Sequence, residues 1–334
     1  MLHRPFFLIF IFICFFSSAW SQTAFPAPEY RMHVIFDTDF GPDYDDVGAI
    51  TLLHAFADSG YIRILAMVAS SKYKNVAAAI NVFNTYFNRP DIPIGVVQGN
   101  AVALGDKQHW TDSILIRYPH KIQNNDEAEN ALDLYRRILA SQPDHSVSII
   151  TVGFLTNLAN LLESGPDKYS KLNGADLVRK KVKSLVCMAG RFPTGREFNL
   201  DQDPASSKKL MSSWPEPILF SGFEIGQKIK TGLPLIHDDR IRHSPVKDVF
   251  AQCIPMSAED SSGRMSWDET AVFVAVRGWR NYYDLQMGDC RISSDGSNEW
   301  INSGKMKAHL VEKKSPREIE AIINHLIMHQ PVGN

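Results

Sequence analysis

Short apolar runs alternate with segments of helical spacing along most of this 334-residue chain. An apolar run bounded by turn residues reads as a buried strand, and apolar positions three and four apart read as one face of a helix. Residues 33–36 form the first run and end at Asp37. Helical spacing follows over 46–57, with Val47, Ile50, Leu53 and Ala57 on one face and Gly60 at the stop. Strands are expected at 62–69, 92–97, 147–152, 182–188 and 218–220, and helices at 75–87, 128–140 and 155–162. Strand, helix, strand in that order implies an α/β fold, a mostly parallel central sheet with helices on both faces. The last third is less regular. Helices are expected at 246–253, 269–276 and 315–328, with short strands within 282–292 and 296–310 around the Asp295-Gly296 turn. The reading is one domain over 22–334 with a C-terminal section appended.

Charge narrows the function. Lys plus Arg number 35 against 37 Asp plus Glu, a net charge of −2. A nucleic-acid polymer as partner calls for a basic excess, and so does a polybasic membrane-surface protein. The first 21 residues read separately. His3 and Arg4 precede an apolar run over 6–16, and Ala19-Trp20-Ser21 fits a small-x-small cleavage site before Gln22. That is the pattern of a secretory signal peptide, so the chain is expected to be exported, periplasmic or secreted, with no membrane anchor after cleavage. The run is shorter than the ~20 residues of a membrane-spanning helix. Removing 1–21 leaves Cys187, Cys253 and Cys290, at most one bridge within a chain; Cys187 sits in an apolar run and reads as a buried thiol.

The chemistry concentrates in Asp37-Thr38-Asp39-Phe40-Gly41-Pro42-Asp43-Tyr44-Asp45-Asp46, directly after the first strand. In a parallel sheet the carboxyl ends of the strands form the ligand crevice. Carboxylates this dense raise one another's pKa unless a cation or a helix N-terminus compensates. Hard oxygen donors favour Ca²⁺ or Mg²⁺. The plainer reading is a solvated acidic loop in which Asp45 and Asp46 complement a helix N-terminus.

This stretch resembles the N-terminal signature of the nucleoside hydrolase family (inosine-uridine-preferring type), usually Asp-x-Asp-x-Gly-x-Asp-Asp. Here two extra residues precede the Asp pair, as in exported bacterial members. Thr151-Val152-Gly153-Phe154-Leu155-Thr156-Asn157 resembles the family's turn after a central strand. Glu197-Phe198-Asn199 resembles its ribose-binding segment. Trp267-Asp268 resembles its His-Asp pair opening a helix. Each block alone has a plain explanation: Thr156, Asp203 with Pro204, and Asp268 all suit helix starts. The resemblance implies Ca²⁺ on Asp39, Asp46, Asp268 and the Val152 carbonyl. It implies Asp39 as general base and Asp45, Glu197 and Asn199 around the ribose hydroxyls. The activity implied is calcium-dependent hydrolysis of the N-glycosidic bond of a ribonucleoside or related N-riboside, by a homodimer or homotetramer.

Departures from the family pattern fall on the substrate side. Trp267 stands where the family's purine- and pyrimidine-cleaving members carry a His, so a proton donor is missing there; the indole is expected to line the pocket or stack on a base. Arg191 and Ser71 stand near positions where ribose-contacting Asn residues are usual, and Asn75 and Asn81 are poor replacements. His109-Trp110 is expected in a loop that could reach the site. Two other readings stay open. One is an exported metal-dependent nucleoside- or sugar-binding protein without turnover. The other is a haloacid-dehalogenase-type phosphatase, whose loop wants Thr or Val where Gly41 stands.

Overall fold

The computed structural model describes residues 32–304 and 306–332. The expected signal peptide lies outside the described residues. Strands β1 (Met32–Thr38), β2 (Ile62–Ala69), β3 (Ile94–Val96), β4 (Glu129–Asn130), β5 (Val147–Thr151), β6 (Val182–Met188), β7 (Thr194–Gly195) and β8 (Ile218–Ser221) come first. β9 (Lys230–Thr231) and β10 (Arg264–Met265) form a separate antiparallel pair. β11 (Tyr283–Ile292), β12 (Asn298–Ile301) and β13 (Lys307–Glu312) follow. The main sheet runs β4-β3-β2-β1-β5-β6-β8-β13-β11-β12-β7.

Pairing is parallel from β4 through β13, and antiparallel among β13, β11, β12 and β7. The last third is therefore no appendage: β13 lies parallel against β8 and extends the same sheet. The chain steps outward from β1 through β2, β3 and β4, then returns to the other side of β1 as β5. That reversal is the topological switch point, and the crevice opens at the carboxyl ends of β1 and β5. Asp37 sits there, in register with Thr151 on one side and Val68 on the other.

Period-2 alternation divides the core. Val34 and Phe36 face one apolar layer and Ile35 the other. The first layer is covered by α1 (Asp45–Asp58), α2 (Val76–Tyr86), α11 (Pro245–Cys253), α12 (Trp267–Arg277) and α13 (Pro316–Ile327). The second is covered by α4 (Ala131–Ser141), α5 (Thr156–Glu163), α6 (Gly174–Lys181) and α8 (Pro204–Ser213). Three short helices, α3 (Trp110–Arg117), α7 (Phe198–Asp201) and α9 (Phe223–Gly226), sit in the loops near the crevice, and α10 (Leu233–Ile236) follows β9.

Helices α3 and α6 were not expected from the sequence, and α8 was legible only by its start at Asp203 and Pro204. Each buries only two or three positions, such as Ser207, Leu210 and Met211 in α8, too few for a periodic apolar stripe. α3 also begins without a side-chain cap, on His109 at φ 57°. Cys187, Cys253 and Cys290 are buried free thiols.

Candidate active site

Two aromatic anchors fix the loop that leaves β1. Phe40 packs edge-on against Phe83 and Trp110 at 5.5 and 5.3 Å. Tyr44 packs edge-on against Phe250 at 5.3 Å, and its hydroxyl donates to Asp260 Oδ2 at 2.8 Å. Asp39 stands just before the first anchor and Asp43 between the two, and α1 opens immediately after the second with Asp45 and Asp46. Thr38 Oγ1 donates to Asp46 Oδ1. Below, Asp37 accepts from the Tyr135 hydroxyl at 2.8 Å and from Asn157 Nδ2 at 3.1 Å. Burial outweighs these bonds and pushes Asp37 up to about 7.

β5 brings its end against this loop. A Cβ on Gly153 would lie 2.3 Å from the Asp39 nitrogen and 2.8 Å from the Thr38 carbonyl carbon. Only glycine permits that approach, and Val152 just before it lines the same cavity as Asp39. Asn199 Nδ2 bridges the ends of β5 and β6, donating to the carbonyls of Val152 at 2.9 Å and Met188 at 3.1 Å. Glu197 caps α7: Oε1 accepts the Asn199 N–H, and Oε2 accepts those of Gly190 and Leu200. Burial pushes Glu197 up to about 7 against the pull of those three bonds. Oε1 keeps one lone pair uncommitted.

A cavity of about 250 Å³ lies over these groups. Asp39, Asp45, Val152, Glu197, Asn199, Trp267 and Asp268 all line it, so residues from across the chain meet at the switch point. Asp46 lies fully buried at the helix start behind them. Phe198, Phe223, Met188 and Met265 form its apolar part. Trp267 lies tilted on Phe223 at 5.2 Å, and its Nε1 donates to the Phe223 carbonyl at 2.9 Å.

Asp45 differs from expectation. Arg264 donates to its Oδ1 through Nε at 3.1 Å and Nη2 at 2.8 Å, and the N–H groups of Trp267 and Asp268 donate to Oδ2 at 3.2 and 3.3 Å. All four acceptor sites are filled, so Asp45 ties the start of α1 to the start of α12 rather than offering a free acceptor to a sugar. Arg264 is the residue the sequence reading missed. Its partners lie more than two hundred positions upstream, and a lone Arg before a helix carries no local signal.

Asp39, Asp46 and Asp268 are buried and held well above the usual carboxylate range. Burial is the first cause and repulsion within the acidic cluster the second. Arg264 hydrogen-bonds Asp43 and Asp45 and none of these three. Asp46 Oδ2 is buried without any hydrogen-bond partner. Among the described residues no three acidic, His or Cys side chains converge tightly enough to grip an ion as they stand. The donor chemistry nonetheless suits a hard divalent cation: buried carboxylate oxygens, one of them orphaned, beside a backbone carbonyl.

The remaining candidates stay outside the cavity. Trp110 is fully buried in the core, while the His109 side chain is 76% exposed and lies 3.4 Å from Asp112. Arg191 stacks on the outer side of Phe223 at 4.7 Å. Ser71 accepts from the Tyr73 N–H, Asn75 donates to Asp112, and Asn81 accepts from the Lys121 N–H.

Acidic side chains gathered at the carboxyl ends of the two central strands of a mostly parallel sheet are the build of a ligand-binding α/β enzyme. The chain matches the inosine-uridine preferring nucleoside hydrolase family over residues 34–322, and belongs to it. The pyrimidine-specific ribonucleoside hydrolase RihA of Salmonella agona (strain SL483) is 25% identical over 235 residues, covering 68% of this chain and 71% of that one. A plant nucleoside hydrolase superposes with a TM-score of 0.69 at 18% identity, covering 90% of this chain and 99% of its own. The purine-preferring ribonucleoside hydrolase of Gardnerella vaginalis gives 0.68 at 16% identity, covering 89% and 99%. These two share the fold. The chain is a hydrolase acting on N-glycosyl compounds.

Proposed function

We propose that the chain cleaves ribonucleosides or related N-ribosides with Ca²⁺ held by Asp39, Asp46, Asp268 and the Val152 carbonyl. The observation that carries this is the orphaned Oδ2 of Asp46 within a set of buried carboxylates that, among the described residues, no Lys or Arg hydrogen-bonds. When bound, the ion supplies Lewis acidity toward water and an anchor for the ribose hydroxyls. Asp39 takes the proton of the attacking water. The free lone pair of Glu197, with Asn199 beside it, meets the sugar hydroxyls. Carboxylates around the ring favour the oxocarbenium-like charge of the breaking bond. The apolar wall of Phe198, Phe223 and Trp267 receives the base by its faces, which suits purine and pyrimidine alike.

Replacing Asp46 by Ala tests the assignment. Bound calcium by elemental analysis and hydrolysis of inosine or uridine should be lost together. A variant that keeps its full metal content places the ion elsewhere.

A further inference from the structure

Trp267 supplies no proton to a leaving group, and its indole N–H is already committed to Phe223. Arg264, three residues earlier, lines the same cavity. Its side chain is only 11% exposed and lies between the faces of Tyr44 and Trp267, 5.0 and 5.1 Å from their ring centres. Nε and Nη2 hold Asp45, and Nη2 also donates to Asp43 Oδ2 at 2.5 Å. Among the described residues Nη1 alone of the three nitrogens makes no hydrogen bond; buried Asp260 Oδ1 stands 3.8 Å away, in ion-pair range but beyond hydrogen-bonding distance. With Asp45 on the Nε–Nη2 edge, Nη1 is on the opposite side of the guanidinium.

We infer that Arg264 is the leaving-group residue of this site: Nη1 donates a hydrogen bond to the departing base, and the fixed charge stabilises the negative charge collecting there. This rests on reading the cavity as a riboside hydrolase site. The oxygen of water bonds to C1′ while the C1′–N bond breaks, and that bond's electron pair leaves on the base nitrogen. The proton of the water goes to Asp39. The base departs as an anion and takes its proton from solvent afterwards. Arg264 does not deliver it: burial works against its charge, but Asp45 and Asp43 outweigh burial and hold the guanidinium above its ordinary pKa. Asp43, contributed by the two-residue insertion, thereby gains a role: with Asp45 it fixes the guanidinium plane.

The test compares a leaving group that needs help with one that does not. Wild type and Arg264→Met are assayed on inosine and on p-nitrophenyl riboside. Losing a fixed donor to a developing anion costs about 10²–10³-fold. That loss is expected on inosine, against less than about tenfold on the nitrophenyl riboside. Guanidinium ion added to Arg264→Ala should restore inosine cleavage in part. Equal losses on both substrates would mean that Arg264 only positions Asp43 and Asp45, and would overturn the inference. Should both variants fail to fold, Arg264→Lys, which keeps the charge and loses the Nη1 donor, is assayed on the same two substrates: a loss concentrated on inosine supports the inference, and equal losses on both overturn it. A wild type that cleaves no riboside, the nitrophenyl one included, refutes the hydrolase reading instead.

Discussion

Asp45 and Asp46 are neighbours at one helix start and meet opposite surroundings. Asp45 is saturated by Arg264 and two backbone N–H groups; Asp46 retains an oxygen with no partner at all. No side-chain pattern distinguishes the two in the sequence, because the difference is made by residues of β10 and α12. Asp37 lies deeper and has a separate consequence. Its folded-state pKa is about 7, raised by burial above the ordinary value of 3.8. Between those values the folded chain holds a proton that the unfolded chain has released, so stability falls as pH rises from about 4 to about 7 and then levels off. That loss amounts to on the order of 4 kcal/mol at most. Asp37→Asn removes the dependence. In urea titrations with EDTA present, the variant should gain on wild type steadily across that interval. A difference between the two that does not change with pH would refute the account.

The alternation of strand and helix was legible because the central strands, such as β1, β2 and β5, are sheathed on both faces. β2 and β6 fall on their expected bounds, and most other boundaries move by one or two residues. What was not legible depends on partners far along the chain. The pairing of β13 with β8 cannot be read from either strand, and the thinly apolar α3 and α6 owe their place to neighbours. The four sequence blocks located most of the cavity wall, yet the commitment of Asp45 to α12 appears only once β10 delivers Arg264. The turn after β5 shows how an element, rather than a side chain, builds the site. Gly153 lets β5 touch the backbone of the loop leaving β1, and backbone yields less readily than a side-chain tip. Gly153→Ala should cost about 1–3 kcal/mol, as overpacking does. It should also lower kcat/KM, because Asp39 is moved off its place beside Val152. Thermal melts and kinetics check both; wild-type values of each would show the approach to be unimportant.

For the whole molecule, we propose export by cleavage after Ser21, and assembly as a homodimer or homotetramer that light scattering would measure. Export exposes thiols to oxidants, and thiolates are the reactive form. Burial pushes Cys290 up to about 12 and raises Cys187 and Cys253 as well, so thiolate is scarce at neutral pH. The three thiols are unpaired and buried, so they are expected to stay reduced in an exported chain. The secreted protein should therefore begin at Gln22 by N-terminal sequencing. Its intact mass under non-reducing conditions should match three free cysteines, and a thiol reagent should label them only after denaturation. A secreted chain still beginning at Met1 would refute the cleavage, and labelling of the native protein would refute the protection.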